Sequence, residues 1–168
     1  MIGVPMALQF SITAIGTILV QSALNLLGST VVAAYSVSGK VEQLVTQPFQ
    51  AMGTTMATYC AQNRGVNDLK RIRSGVRIAN IMSAVYAVVI YGVVRWILPY
   101  VIPLFVSEDI EMVYGYAKIY IELCGLFFIP LGMIFIYRNT MQGCGFAFLP
   151  MMGGVVELIS RGVVAFIA

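Results

Sequence analysis

A row of polar side chains lies along a mostly apolar segment and could contact a dissolved solute. Its members are Ser36, Lys40, Gln43, Gln47, Gln50 and Thr54. Their spacing alternates between four and three residues, which keeps them on one face of an α-helix. Glutamines that faced lipid would be costly, so this face is expected to look into a helix bundle or a water-filled cavity.

Two interpretations of this polar row stay open. The side chains could form hydrogen bonds that only join neighbouring helices. Alternatively, they line a substrate cavity, since six polar positions exceed what such joining usually requires. The candidate cavity residues are Gln9, Ser36, Lys40, Gln43, Gln47 and Gln50.

Two carboxylates inside apolar segments, Glu42 and Glu157, are candidates for carrying a coupling ion. A charged side chain near the centre of a spanning helix costs about 2.5–3.5 kcal/mol, so it needs a partner or water. Lys40 is two positions from Glu42, and the two side chains therefore point in different directions. The structural alternatives are a salt bridge from Glu42 to another helix and an ion pair between Glu157 and Arg161.

The residue types exclude several kinds of catalysis. The sequence has no histidine, which removes imidazole metal ligands and histidine-activated nucleophiles. Cys60, Cys124 and Cys144 show no CxxC spacing and are expected to be reduced packing residues. The acids are dispersed, and no basic stripe with interleaved aromatics indicates nucleic acid. The sequence therefore predicts no enzyme, no metal site and no cofactor.

The candidate residues lie on long apolar segments of a chain that must contact lipid. Of its 168 residues, 60% are hydrophobic and only 10% are charged, against about 25% charged in soluble domains. A spanning helix needs about 20 mostly apolar residues. Five segments satisfy this, at residues 4–27, 31–60, 76–102, 112–137 and 148–168. The sequence therefore predicts an all-α polytopic membrane bundle, a single transmembrane lobe of five helices.

Turn-forming residues and charges set the breaks and the orientation. The breaks are expected at residues 28–29, 62–73, 99–111 and 138–150. The cations of the loop 62–77 are Arg64, Lys70, Arg71, Arg73 and Arg77, against the single acid Asp68. The acids of the following outer loop are Glu108, Asp109 and Glu111. The positive-inside rule therefore places the loop 62–77 in the cytoplasm.

Two further charged positions carry expectations. Arg95, at the outer end of the third predicted span, is expected to reach the membrane surface with its long side chain. Lys118 and Glu122 lie four residues apart and are expected to pair on one helical face.

The second predicted span is expected to bend. Its roughly 30 residues would make about 45 Å of helix, against a hydrocarbon core of about 30 Å. Pro48 removes one backbone hydrogen bond in its second half, which predicts a kink. Pro48 is therefore the candidate hinge.

Short motifs occur in order along the five segments. They are Gly3-x-Pro5 with Gln9, Asn25-x-x-Gly28-Ser29, Ala33-Ala34-Tyr35, Pro48, Gln62-Asn63-Arg64-Gly65, Gln142-Gly143-x-Gly145, Pro150, and Glu157 with Arg161. In this order and placement, the chain resembles the carboxy-terminal half of a MATE (multidrug and toxic compound extrusion) transporter. The resemblance implies twelve spans in two six-helix lobes, with this chain as spans seven to eleven of a longer polypeptide.

The resemblance also implies a function and its partners. Transporters of this family exchange Na⁺ or H⁺ for bulky organic cations by rocking their lobes between inward- and outward-open states. The implied partners are the lipid bilayer of the plasma membrane, a small organic cation and the missing amino-terminal lobe. Thr13 and Leu131 stand where sodium-coupled members carry acids, which leaves coupling through the missing lobe as an alternative.

Two other functions remain as alternatives. A flippase for lipid-linked oligosaccharides shares the fold, but it would need a strongly cationic cavity, and Lys40 is the one plausible central cation. The other alternative is a structural membrane subunit that transports nothing.

Overall fold

The chain folds into helices throughout its described part. The computed structural model describes the backbone of residues 3–105 and 110–167, and side chains within residues 7–163 except 9, 19, 27, 29 and 106–109. The helices are α1 (Gly3–Leu24), α2 (Ser29–Gly65), α3 (Leu69–Phe105), α4 (Ile110–Leu126), α5 (Phe128–Gly143) and α6 (Phe148–Ile167). The predicted all-α fold is confirmed. Glu108 and Asp109 of the outer loop lie outside the described residues.

The connections between the first three helices differ from the predicted breaks: the first takes residues 25–28 instead of 28–29, and the second is shorter than the predicted 62–73. A 3-10 turn at Asn25–Leu27 leads to Gly28, whose φ of 97° favours glycine. The turn between α2 and α3 takes only residues 66–68, and the Asp68 carboxylate accepts a hydrogen bond from the Arg71 amide at 3.0 Å. This capping contact satisfies one of the free amides of the first turn of α3.

The expected break at Pro99 is wrong, because α3 continues through Pro99 and Pro103 to Phe105. A proline inside a helix removes one hydrogen bond and strains one carbonyl. Leu98 and Ile102 are buried at 4% and 0% exposure, so core packing holds these last turns in helical form.

The fourth predicted span, residues 112–137, is two helices rather than one. α4 and α5 meet at Phe127 with a bend of 52°. Pro130 has no amide to donate to the Leu126 carbonyl, which favours a helix end at that point. Pro130 then falls in the first turn of α5, where a proline is tolerated.

The helices differ in how readily they would cross a membrane by length and composition. Among the described residues, α3 meets both requirements, and α4 with α5 would form a second span if the bent pair counts as one. α2 is long enough at 37 residues, but its polar row makes it too polar by this measure. The count of five spans therefore stays a prediction.

The helices form a larger group and a pair. α2 packs against α3, α4 and α5, whereas α1 packs mainly against α6. The centre of the larger group is Phe49 of α2, 1% exposed, whose ring lies 5.0 Å from Tyr86 and 6.4 Å from Phe128. Leu131 packs partly buried against this core.

One charge pair differs from the sequence expectation. Glu122 of α4 pairs with Arg95 of α3, with Nη1 and Oε1 3.0 Å apart, rather than with Lys118. A pair four residues apart on a helix is worth only about 0.2–0.5 kcal/mol. The packing of α4 against α3 therefore determines which cation pairs with Glu122. Arg95 binds this carboxylate in addition to any contact with the membrane surface.

Candidate functional site

The six polar residues of α2 form a continuous exposed surface in this chain. This polar face consists of Ser36, Lys40, Gln43, Gln47, Gln50 and Thr54, all of which are exposed. The opposite side of α2 carries apolar residues, among them Val37, Val45 and Phe49, that are at most 5% exposed. Because α3, α4 and α5 pack against the buried apolar side, the polar face stays exposed in the described part of the chain, and Lys40 near one end of it contacts the Phe105 ring of α3.

The exposed surfaces of α3 and α4, unlike the polar face of α2, are mostly apolar. On α3 the exposed residues include Ile78, Ile81, Met82, Val85, Val88 and Val89. On α4 they include Met112, Ile119, Leu123 and Leu126. Such surfaces suit lipid chains, which cannot hydrogen-bond, whereas a row of amides does not.

The glutamines of the polar face do not join the helices of this chain. In the part of the chain that the structure describes, no side-chain hydrogen bond links Gln43, Gln47 or Gln50 to another helix. The Thr54 hydroxyl donates within its own helix, to the carbonyls of Gln50 at 3.2 Å and Ala51 at 3.0 Å. Bonding among the described helices therefore does not account for this row.

Pro48 lies in the part of α2 that packs against α3 and is hydrogen-bonded to it. The helix runs unbroken through Pro48. The Tyr86 hydroxyl of α3 donates to the Val45 carbonyl at 3.0 Å, three residues before the proline. The buried Phe49 follows it directly. α2 is thus anchored on its apolar side at this level, and the hinge role of Pro48 stays a prediction.

Lys40 contacts the carboxy-terminal end of α3. Its ammonium nitrogen is 5.2 Å from the ring centroid of Phe105, the last described residue of α3. A long lysine side chain readily reaches an aromatic face at a helix end. The role of Lys40 as a central cation of the cavity stays a prediction.

Glu42 contacts α4 on the side of α2 away from the polar face. Its carboxylate accepts a hydrogen bond from the Tyr120 hydroxyl at 2.5 Å, and both residues are partly buried. The Tyr120 ring packs edge-on against Tyr35 at 5.6 Å. The partner is thus a tyrosine rather than a cation. The sequence alone did not identify Tyr120, because the register between α2 and α4 is not encoded in local spacing.

Glu157 is held in an ion pair in the other helix group. Its Oε1 lies 2.6 Å from Arg161 Nη2, so the predicted pair is confirmed. Arg161 Nη1 lies 3.5 Å from the Thr17 hydroxyl and links α6 to α1. Glu42 and Glu157 therefore belong to different helix groups. Gln9 lies on α1, but its side chain is outside the described residues.

Comparison with known proteins gives a consistent assignment. A profile of the MatE family matches residues 5–167. The chain is 25% identical over 160 residues to the probable multidrug resistance protein YpnP of Bacillus subtilis (strain 168), covering 95% of this chain and 35% of that protein. It is 28% identical over 153 residues to the probable multidrug resistance protein YoeA of the same organism, covering 89% and 32%.

The chain thus spans about a third of the length of these two relatives. The family match takes in all six helices, including α2 with its polar face. The chain therefore belongs to the MatE family, whose members are membrane transporters.

Proposed function

We propose that this chain forms most of one lobe of a cation-coupled antiporter that exports organic cations by alternating access. The observation that carries the proposal is the polar face of α2, which is exposed while the exposed faces of α3 and α4 are apolar. In the proposed transporter, an amino-terminal lobe of the same protein stands opposite this face. The two surfaces enclose a central cavity filled with water.

The side chains of the polar face suit loose recognition of cations. Glutamine oxygens at Gln43, Gln47 and Gln50 can accept hydrogen bonds from a protonated amine. Leu44, 75% exposed on the same side of α2, offers apolar contact to the rest of the substrate. Amides carry no net charge, so substrates of different shapes bind without one fixed ion pair. This agrees with the names of the two relatives, which describe probable multidrug resistance.

Glu42 is the stronger coupling candidate of the two carboxylates. Its described hydrogen bond is to a neutral hydroxyl rather than to a cationic side chain, which leaves the carboxyl group available to a coupling ion. Glu157 instead has a guanidinium at 2.6 Å. The antiporter would lie in the plasma membrane with the loop 62–77 in the cytoplasm. A flippase is less well supported, because it needs a strongly cationic cavity and Lys40 is the one cation of the polar face.

The test uses the full-length transporter that contains this chain, reconstituted in vesicles with imposed Na⁺ and H⁺ gradients. The double variant Gln43→Leu/Gln47→Leu removes two hydrogen-bonding groups worth about 0.5–1.5 kcal/mol each. We expect roughly a 5-fold or greater loss of organic-cation efflux at unchanged membrane insertion. The matched control is Val85→Leu/Val89→Leu on the exposed apolar face of α3, which should leave efflux unchanged.

Two results would contradict the proposal. Unchanged efflux in the glutamine variant at equal expression would remove the polar face from the cavity. Efflux by the parent protein that persists after both gradients are collapsed would exclude cation-coupled antiport.

A further inference from the structure

A groove between α3 and α5 lies at the cytoplasmic end of the bundle and belongs neither to the polar face nor to the Glu42 contact. Its volume is about 620 Å³ and it is open along one side. Its lining includes Arg73, Arg77, Ile81, Ala84, Met133 and Tyr137.

One end of the groove is cationic. Arg73 and Arg77 are one helical turn apart on α3 and both are exposed. Neither forms a salt bridge within the described residues. Two neighbouring guanidinium groups without a carboxylate partner are well suited to a phosphate, which each can bind through two parallel hydrogen bonds.

Beyond Arg77 the groove is mostly apolar and points toward the middle of the membrane, and the side-chain amide of its polar lining residue Asn80 donates to the Val76 carbonyl at 2.9 Å. Ile81 is 55% exposed and Met133 is 40% exposed, so the wall is open to an apolar ligand. Arg73 and Ala84 are eleven positions apart on α3, which corresponds to about 16 Å of helix. This length is close to half of a hydrocarbon core of about 30 Å. The groove therefore extends over about the depth of one leaflet.

The geometry points to a binding site for an anionic phospholipid of the cytoplasmic leaflet. Its phosphate lies against Arg73 and Arg77, and one acyl chain follows Ile81, Ala84 and Met133. Tyr137 of α5 closes the groove at the level between headgroup and chain, where amphipathic rings are favoured. The lipids of the cytoplasmic leaflet are rich in negative charge, which matches the sign of the groove.

The test measures which lipids the purified full-length transporter retains. Native mass spectrometry after release from nanodiscs of mixed phosphatidylglycerol and phosphatidylcholine counts the bound lipids of each kind. The double variant Arg73→Gln/Arg77→Gln should retain phosphatidylglycerol about 30-fold more weakly, because each substitution removes one positive charge from beside the phosphate. Phosphatidylcholine retention should change much less, because its own choline cation offsets the charge of its phosphate.

The matched control is Arg64→Gln/Arg71→Gln. It removes the same charge from the same end of the bundle, but neither residue lines the groove. A second variant, Ala84→Phe, fills the apolar part without altering charge and should also weaken phosphatidylglycerol retention.

Three results would overturn the inference. The first is phosphatidylglycerol retention by the Arg73/Arg77 variant equal to that of the parent, as expected if another protein segment covers the groove. The second is an equal loss in the Arg64/Arg71 control, which would indicate unspecific attraction to a basic surface. The third is displacement of the lipid by inorganic phosphate at millimolar concentration, which would show that the acyl chain contributes nothing.

Discussion

Replacing Tyr120 by phenylalanine removes one hydroxyl group from the contact between α2 and α4. That hydroxyl donates to the Glu42 carboxylate at 2.5 Å. The phenylalanine ring keeps the edge-on packing against Tyr35, whose ring centroid lies 5.6 Å away. The substitution therefore tests the hydrogen bond with little change in packing.

The expected cost follows from the surroundings of the bond. A hydrogen bond to a charged group is worth about 1.5–3 kcal/mol in proteins. Both partners are only partly buried, so water replaces part of the lost interaction. Hydrogen bonds between membrane helices average about 0.6 kcal/mol and reach about 1.7. We expect Tyr120→Phe to lower the free energy of unfolding by about 1–1.5 kcal/mol, roughly a 5- to 10-fold change in the folding equilibrium.

The assay is reversible unfolding of the full-length protein in mixed micelles, arranged as a double-mutant cycle with Glu42→Leu. In the Glu42→Leu background, Tyr120→Phe should cost close to nothing, because the hydroxyl no longer has the carboxylate as acceptor. The control is Tyr116→Phe, which removes the same hydroxyl one turn earlier from an exposed side chain and should change stability by less than about 0.5 kcal/mol. An equal cost of Tyr120→Phe in both backgrounds would refute the assigned bond.

Two further predictions concern coupling and packing. Glu42→Gln should abolish the dependence of efflux on the driving ion, whereas Glu157→Gln should preserve it; loss of the dependence in the Glu157 variant alone would reverse the assignment. Gly143→Ala should lower the melting temperature in detergent by the equivalent of about 1–3 kcal/mol, because the added Cβ would overlap the Ala57 carbonyl oxygen. Gly92→Ala, with no atom within 4 Å of its added Cβ, should not lower it.

The polar face could be predicted from sequence because it depends only on local geometry. Steps of four and three residues fix the direction of Ser36 through Thr54 once the segment is helical, whatever packs beside it. The end of α1 near Gly28 was likewise visible, because a residue with positive φ is most often a glycine.

The partners of the charged residues could not be predicted in the same way. Local spacing favoured Lys118 for Glu122, but Arg95 of α3 takes that role in the fold. Glu42 accepts a hydrogen bond from Tyr120, which is 78 residues away in sequence. Such partners depend on how far one helix slides and turns against another, and the buried apolar residues of the larger group determine that register.

The bend at Phe127 could be predicted from the sequence only in part. Pro130 was visible in the sequence, and its missing amide favours a helix end near Leu126. The same reasoning applied to Pro99 fails, since α3 passes through it. The difference lies in the packing. Leu98 and Ile102, each directly before one of the two α3 prolines, are buried, whereas Leu126 and Phe127 at the bend are 71% and 65% exposed.

A chain with one polar and several apolar exposed faces cannot be surrounded evenly by lipid. Contact with lipid costs the apolar faces of α3 and α4 no hydrogen bonds. Each unpaired glutamine of the polar face, by contrast, would lose its hydrogen bonds to water. The polar face therefore needs water or another polar surface along about half of the length of α2. A second lobe that leaves a water-filled gap satisfies this need and creates a route for a solute. The requirement that keeps α2 out of lipid is thus the same one that makes it the candidate substrate surface.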